Sequence, residues 1–421
     1  MSLPSLLVSP SALTSLLFKF SEARHKTAHE RFIQDMVIGI LGSQSTVVAN
    51  VARFLGESQP LQATENRLCR MLNNECVEWD DLRMRTLELN SRLVKNDDII
   101  AFDPGDITKD YAEKMENIYR VHDGSKNQIG NGFEDFSAEA IQWRNGKRYH
   151  VPLYEKLITA KCDDYISQNR QIIDGIRAIQ ICVGTRGIWV LDRGHDRTVI
   201  FEKALLRLPI RWVVRAKENR LVRPEDKSLL RNGEERIGLM DLVARMKLSE
   251  DTFRLLAPKK SGNIQYARTT ITFEFDNNET PIGLVIVKDV RNQSPVVLLT
   301  NMHIGDDFSS HMVFAYYLER WGKEEGYRFI KSFLNSENIR THNWRSTQSL
   351  AFLAFLTYSF ITLFYRSSPE RIDAMAEERL KHFNAGDTVT FKYYRIGQLM
   401  RLLIAEQTGR LRLLPLMTEV G

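Results

Sequence analysis

The chain has 421 residues, 43% hydrophobic and 26% charged; it is too long for one ordinary core and too apolar for disorder, so about two to four globular units are expected. Its net charge of +5 is only mildly basic, yet residues 201–260 carry 15 Lys or Arg against 9 Asp or Glu, a local field that suits a polyanion. Four cysteines, Cys69, Cys76, Cys162 and Cys182, lack C-x2-C and paired-histidine spacings, which argues against a zinc site and a disulfide framework and for a reducing cytoplasm.

No basic flank, apolar core and small-residue cleavage site opens the chain, so no secretory signal is expected. Residues 1–95 show helical periodicity. The run STVVANVARFL, the breaker GESQP and the run QATENRLCRML read as helix, turn, helix. Arg67 and Arg70 share one face of the last of these, where a DNA-docking motif would offer them to groove or phosphate; a plain helical hairpin with exposed arginines is the other reading. His25 and His29 are four apart, but with no acidic partner nearby they read as surface histidines.

From about residue 97 the pattern turns to strands. Residues 99–102 form a β-branched and aromatic run that delivers Asp103 to a turn at Pro104-Gly105. Strand-like pieces follow at 117–122 and 139–153, the second broken by an Asn145-Gly146 hairpin turn. An amphipathic helix over 163–180 leads to a buried-type strand at 187–192 that ends in Asp192, then a helix through Leu208 and a strand at 210–215. That order is one of a mixed α/β layer. Residues 218–293 alternate as antiparallel strands around a small helix, and 296–300 make a last strand. The apolar run over 350–365 contains Thr, Ser and Tyr and falls short of the roughly 20 residues a bilayer needs, so it reads as a buried core helix. Residues 367–421 read as a charged linker and an amphipathic helix around 395–405, a tail or partner surface.

The densest chemistry lies in Tyr317–Lys331, YLERWGKEEGYRFIK. On one continuous helix, at about 100° per residue, Tyr317, Arg320, Glu324 and Lys331 fall within an arc of roughly 60°. Phe314, Leu318, Trp321 and Phe329 would form an apolar stripe beside them. Asp103 and Asp192 at strand ends, with Glu324 on this helix, supply the hard oxygen ligands that a Mg2+ pair requires, Mn2+ being the natural substitute. Two such ions about 3.5 to 4 Å apart can activate an attacking oxygen and stabilise a leaving one in phosphoryl transfer. The rivals Asp106 and Asp196 lie beyond the expected strand ends and suit turn or cap roles, while Glu325 is rotated toward the apolar stripe.

The spacing Y-x2-R-x3-E-x6-K, the blocks FDPGDITK and WVLDRGHD, the RWVVRAK that follows, and RLCRMLNN together resemble the DDE transposases of bacterial insertion sequences over most of residues 40–365. The resemblance implies an α/β fold: a ribonuclease H-like mixed-sheet core with a β-rich insertion, a helical N-terminal domain and a helical C-terminal tail. It divides the chain into a DNA-binding unit (1–95), two parts of the core (96–217 and 294–366), the insertion (218–293) and a C-terminal region (367–421). By resemblance, Asp103, Asp192 and Glu324 are the catalytic metal ligands, and Tyr317, Arg320 and Lys331 hold the phosphates of a transposon end. The implied partners are double-stranded DNA, both element ends and target, and a second copy of the chain in a synaptic homodimer, with no membrane and a nucleoid-associated cytoplasmic location. The expected activity is binding of terminal inverted repeats, end cleavage and joining of 3′-hydroxyl ends to target DNA. A ribonuclease H-like nuclease without strand transfer and a domesticated, non-catalytic DNA-binding protein are the alternatives. Several relatives use an insertion Trp to stack on a flipped base; residues 218–300 contain none, which leaves Phe253, Tyr266, Phe273 or Phe275 for that role.

Overall fold

The computed structural model describes residues 26–409 apart from 110–111, 125, 232, 255–260, 276–277, 290–293, 382–390 and 408. His25 lies outside the described residues. Four helices come first: α1 (Lys26–Ser43), α2 (Val48–Leu55), α3 (Leu61–Leu72) and α4 (Trp79–Ser91). Gly56 ends α2 in the left-handed region at φ 54°, which lets its N–H bond back to Ala52, and Pro60 opens α3 where a missing N–H costs nothing. The helix–turn–helix pattern is therefore realised in these residues. His29, expected on the surface, is buried.

The strands β1 (Ile99–Thr108), β3 (Gln128–Arg144) and β4 (Lys147–Ile158) pair antiparallel in the spatial order β4-β3-β1, and β2 (Tyr119–Asp123) also pairs with β3. Asn145 and Gly146, both at positive φ, make the two-residue hairpin turn that matches strand twist. On the other side of β1, the parallel strands β5 (Ile188–Leu191) and β6 (Arg211–Arg215) follow in turn. Helix α5 (Gln168–Val183) makes the crossover into β5, its first turn capped by the Ser167 hydroxyl. Three antiparallel strands beside two parallel ones, with helices on both faces, form the ribonuclease H-like core.

The β-rich segment continues this sheet instead of forming a separate layer. Among the described residues the sheet has 12 strands, because β12 (Val296–Thr300) pairs with β6 on one edge and β11 (Asn278–Asp289) on the other. Beyond it lie β10 (Ser261–Phe275), β7 (Leu221–Pro224), β8 (Ile237–Gly238) and β9 (Ser249–Arg254), with α6 (Leu239–Arg245) among them. The alternation of side chains along each strand divides the apolar residues between the faces. Ile100, Phe102, Trp189, Leu191 and Trp212 pack on the side of α5, while Ile99, Ala101, Val190 and Val213 pack on the side of α7 (Asp307–Glu319).

A second hydrophobic core is helical. Its axis is α9 (Trp344–Ser367), which contains the run read as a core helix; it is long and apolar enough to cross a membrane, but 89% of its apolar window is buried inside the protein. Around it pack α1 to α4, α8 (Gly322–Ser332), α10 (Pro369–Arg379) and α11 (Tyr393–Gln407). At about 1.5 to 3 kcal/mol for each fully buried large apolar side chain, this core is a principal source of stability. The C-terminal helix is thus no free tail: Tyr393, Ile396, Leu399 and Met400 are buried in the same core as the N-terminal helices.

Two local expectations are corrected here. Strand β1 does not turn at Pro104-Gly105 but runs on to Thr108, paired with β3 throughout. Gly105 has no side chain to obstruct Tyr327, whose hydroxyl donates to the Asp106 carbonyl at 2.7 Å; a Cβ at 105 would lie 2.4 Å from that hydroxyl. The stretch Tyr317–Lys331 is not one helix either. α7 ends at Glu319 and α8 begins at Gly322, and between them Arg320, Trp321, Lys323 and Glu324 donate to carbonyls three residues back. Tyr317, Arg320 and Glu324 nevertheless stay together across that turn, with Arg320 over the Tyr317 ring and 3.7 Å from Glu324.

Candidate active site

Parallel pairing of β1 with β5 ends at Phe102 and Leu191, so Asp103 and Asp192 are the next residues on two neighbouring strands and leave the sheet on the same face. Apolar lead-ins explain this placement: both strands bury everything up to the acid, and the acid stands where the packed core gives out. Helix α8 covers that face and carries Glu324 in its first turn. The three acids stay partly accessible, with side chains 20%, 34% and 40% exposed for Asp103, Asp192 and Glu324.

Arg320 joins them. Its Nη1 donates to Asp103 Oδ2 at 2.8 Å and its Nη2 lies 3.7 Å from Glu324 Oε1, while its side chain is only 9% exposed. The guanidinium also lies over the rings of Tyr317 and Trp321. Burial opposes its charge, but Asp103, Tyr317, Asp192 and Glu324 together hold its pKa above the ordinary value. Glu324 is shifted upward, by burial first and by the Asp103 charge, with Arg320 acting against both.

Asp192 behaves differently. Burial pushes its pKa up, but the hydrogen bond and charge of His195, the Arg320 charge and a bond from the Gly194 backbone outweigh it and bring the carboxyl down to about 2. His195 is fully buried, packs edge-on against Phe102, and donates Nδ1–H to Asp192 Oδ1 at 2.5 Å. The 3-10 turn Arg193–His195 brings the ring back onto the acid three residues earlier. Sequence reading missed His195; its signal was the offset of three behind a strand-end aspartate in DRGHD.

The rival acids are engaged elsewhere. Asp196 is buried and accepts from the Lys217 amide at 2.6 Å and from Arg220. Glu325 pairs with Arg148 at 2.6 Å, and Asp106, still within β1, accepts from the Gly124 amide and faces Lys331 at 3.5 Å.

Of the other predicted site residues, Tyr317 stays beside Arg320 and the rest lie elsewhere. Tyr317 is buried under the guanidinium of Arg320, and Lys331 sits at the far end of α8, where Glu337 holds it at 2.7 Å. Arg67 is tied to Asp35 and Glu57, both at 2.9 Å, whereas Arg70 is exposed and donates to the carbonyl of Asn66 in its own helix. Trp321, expected in the apolar stripe, is 55% exposed at the α7–α8 junction beside Arg320. Of the insertion aromatics, Tyr266 is buried against His311, and the side chains of Phe253 and Phe275 lie outside the described residues. Phe273 lines a cavity of about 620 Å³ with Arg197, Lys217, Arg220 and Arg236, and Arg220 stacks on its ring.

Among the described residues, no group of three His, Cys, Asp or Glu side chains is gathered so that it could hold a metal ion. The donor types at Asp103, Asp192 and Glu324 do fit a hard divalent cation, and Asp192 is ionised well below neutral pH. The Arg320 guanidinium supplies the positive charge that these three acids feel.

The fold and this carboxylate arrangement define the class to which comparison can be made. Residues 153–360, just under half of the chain, match the family model described as "Transposase DDE domain"; the segment includes Asp192 and Glu324 and begins after Asp103. In three dimensions the chain is similar to a piggyBac transposase solved by cryo-EM as a synaptic complex with hairpin DNA, at 10% identity and a TM-score of 0.50, over 96% of this chain and 82% of that one. At that identity the likeness speaks for the fold. No curated protein sequence matches the chain.

Proposed function

We propose that this chain is a DNA transposase of the insertion-sequence subgroup with the Tyr-Arg-Glu-Lys spacing. It binds terminal inverted repeats, cleaves the element ends and joins their 3′-hydroxyls to target DNA, acting as a synaptic homodimer in a bacterial cytoplasm. The observation that carries this reading is the side-by-side placement of Asp103 and Asp192 where the parallel pairing of β1 and β5 ends, with Glu324 joined to Asp103 through Arg320.

Asp103, Asp192 and Glu324 are the residues that would hold divalent ions, Mg2+ or Mn2+. Bound there, such ions supply Lewis-acid stabilisation of the attacking and leaving oxygens of a phosphodiester. The chain's own contributions are separate. His195 fixes the direction of the Asp192 carboxylate, Arg320 can exchange its carboxylate partners for a DNA phosphate, and exposed Trp321 offers a stacking face to a base beside the cut. Phe273 with Arg220 is the insertion's substitute for a base-stacking Trp. The test is nicking and strand transfer on end-containing DNA in Mg2+. Asp192→Asn is expected to lose both, while pre-cut ends joined to target by the wild type separate transposition from simple nuclease action. Wild-type rates in the mutant would refute the assignment.

A further inference from the structure

Helix α8 carries Glu324 between two glycines, and the C-terminal region seats that helix. Gly322 and Gly326, four apart, face β3 and β4. A Cβ at 322 would lie 3.0 Å from Ile141 and 3.3 Å from His150, and one at 326 would lie 2.3 Å from the Glu139 carboxylate. The seat is built from buried polar groups: Glu139 accepts from Tyr358 and stands 3.2 Å from His150 Nδ1.

From the other side, the segment Phe391–Tyr394 closes on the same residues. The Tyr393 hydroxyl accepts from the His150 amide at 3.0 Å and donates to the His150 carbonyl at 2.7 Å. The Phe391 ring packs edge-on against His150 at 4.8 Å. Tyr394 packs edge-on against both Phe329 and Phe333 of the α8 region, at 5.1 and 5.8 Å, and its hydroxyl bonds the Ser332 hydroxyl at 2.7 Å. Gly397 lets α11 come close enough that a Cβ there would lie 2.7 Å from the Phe333 ring.

We infer that Phe391, Tyr393 and Tyr394 are positioning residues for the third carboxylate: they hold α8 down on Glu139 and His150, and so fix Glu324 against Asp103 and Asp192. The inference rests on the metal-site reading above and gives the C-terminal region, which lies beyond the matched family segment, a part in the chemistry.

The experiment measures Mn2+ binding to the full-length protein by titration calorimetry, with thermal midpoints recorded alongside. Tyr394→Ala and Gly326→Ala are expected to weaken Mn2+ binding by about tenfold, the scale for groups that orient a metal ligand. Tyr394→Phe, which keeps the ring and loses only the Ser332 bond, recovers most of it. Leu403→Ala, a core truncation further along α11, lowers the midpoint without moving Mn2+ affinity, which separates positioning from general loosening. Glu324→Gln serves as reference. If it weakens Mn2+ binding while Tyr394→Ala and Gly326→Ala do not, or if Leu403→Ala weakens it as much as they do, the positioning role is wrong and the metal site stands. If Glu324→Gln has no effect, both fall.

Discussion

Two acids of the β1 region are paired with arginines, one just before the strand and one midway along it, and the two pairs are built differently. Asp98, just before the strand, is fully buried and saturated: one oxygen accepts from Arg144, the other from the Lys95 amide at 2.7 Å and from Gln142. Asp103, midway along, keeps 20% of its side chain exposed and among the described residues accepts from Arg320 alone. A buried carboxylate with every bond made holds the fold in one geometry and has nothing left to offer a ligand. An exposed one with a single partner can exchange that partner, and this spare capacity marks a candidate site more sharply than charge does.

Mutating the two acids separates their roles. Asp103→Asn or Asp192→Asn is expected to cut end cleavage on the order of 10³-fold or more per folded molecule, and to cost less stability than a change at Asp98 because both carboxylates are partly exposed. Asp98→Asn should do the reverse, costing about 3 kcal/mol in urea unfolding because Arg144 loses its buried counter-charge, with the cleavage rate per folded molecule unchanged. If Asp98→Asn also abolishes chemistry in folded protein, saturation does not separate structure from function here.

A smaller effect is expected at the shared cation. Arg320→Gln removes the charge that lies among Asp103, Glu324 and Asp192, so Mn2+ should bind the DNA-free protein about tenfold more tightly even as cleavage falls. Calorimetry showing equal or weaker Mn2+ binding would mean that Arg320 organises the carboxylates and does not compete with the cation.

Much of this was legible in the sequence, for identifiable reasons. Runs that bury every residue before an acid read as strands ending at a site, and β5 with Asp192 behaves so; Asn-Gly marked its hairpin because both residues accept positive φ. The break between α7 and α8 was not legible. Nothing in LERWGKEE forbids a continuous helix, and the 3-10 turn falls where Arg320 pairs with Asp103 from a distant strand. Tyr317 is buried and Trp321 exposed beside it. The continuation of β1 past Pro104-Gly105 was hidden because the reason, the Tyr327 ring across Gly105, lies more than two hundred residues away in the chain. The seating of α11 was hidden likewise, since an amphipathic helix does not say what it packs against.

A third kind of acid sharpens the comparison by pH. Glu155 is buried, neither of its carboxylate oxygens has a hydrogen-bond partner among the described residues, and Arg83 lies 3.9 Å away. Burial pushes its pKa up to about 8, Arg83 opposing and the Asp135 charge adding to the rise. With the folded pKa above the unfolded one, the native state binds the extra proton, so this stability is fully present below about pH 4.5 and is lost as pH rises toward 8. Asp192 has the opposite sign: its contribution is present above about pH 3.8 and disappears as pH falls toward 2. Glu155→Gln should therefore flatten the decline of the urea midpoint between pH 5 and 8 and leave the acid limb untouched. A parallel decline in mutant and wild type would show that Glu155 is ionised in the fold.

The same distinction applies to cations, where the effect is smallest. Arg67 is engaged by Asp35 and Glu57, while Arg70, three residues further along α3, is exposed and among the described residues bonds only to its own helix. If spare capacity selects the DNA contact, Arg70→Ala should weaken duplex binding and reduce the slope of log affinity against log salt by about one, the share of a single phosphate. Arg67→Ala should leave that slope alone and lower the unfolding midpoint, because two partly buried carboxylates lose their partner. A salt slope that responds to Arg67 and ignores Arg70 would place the DNA on the other face of α3, and the ion pair with Asp35 and Glu57 would then be one that opens when DNA arrives.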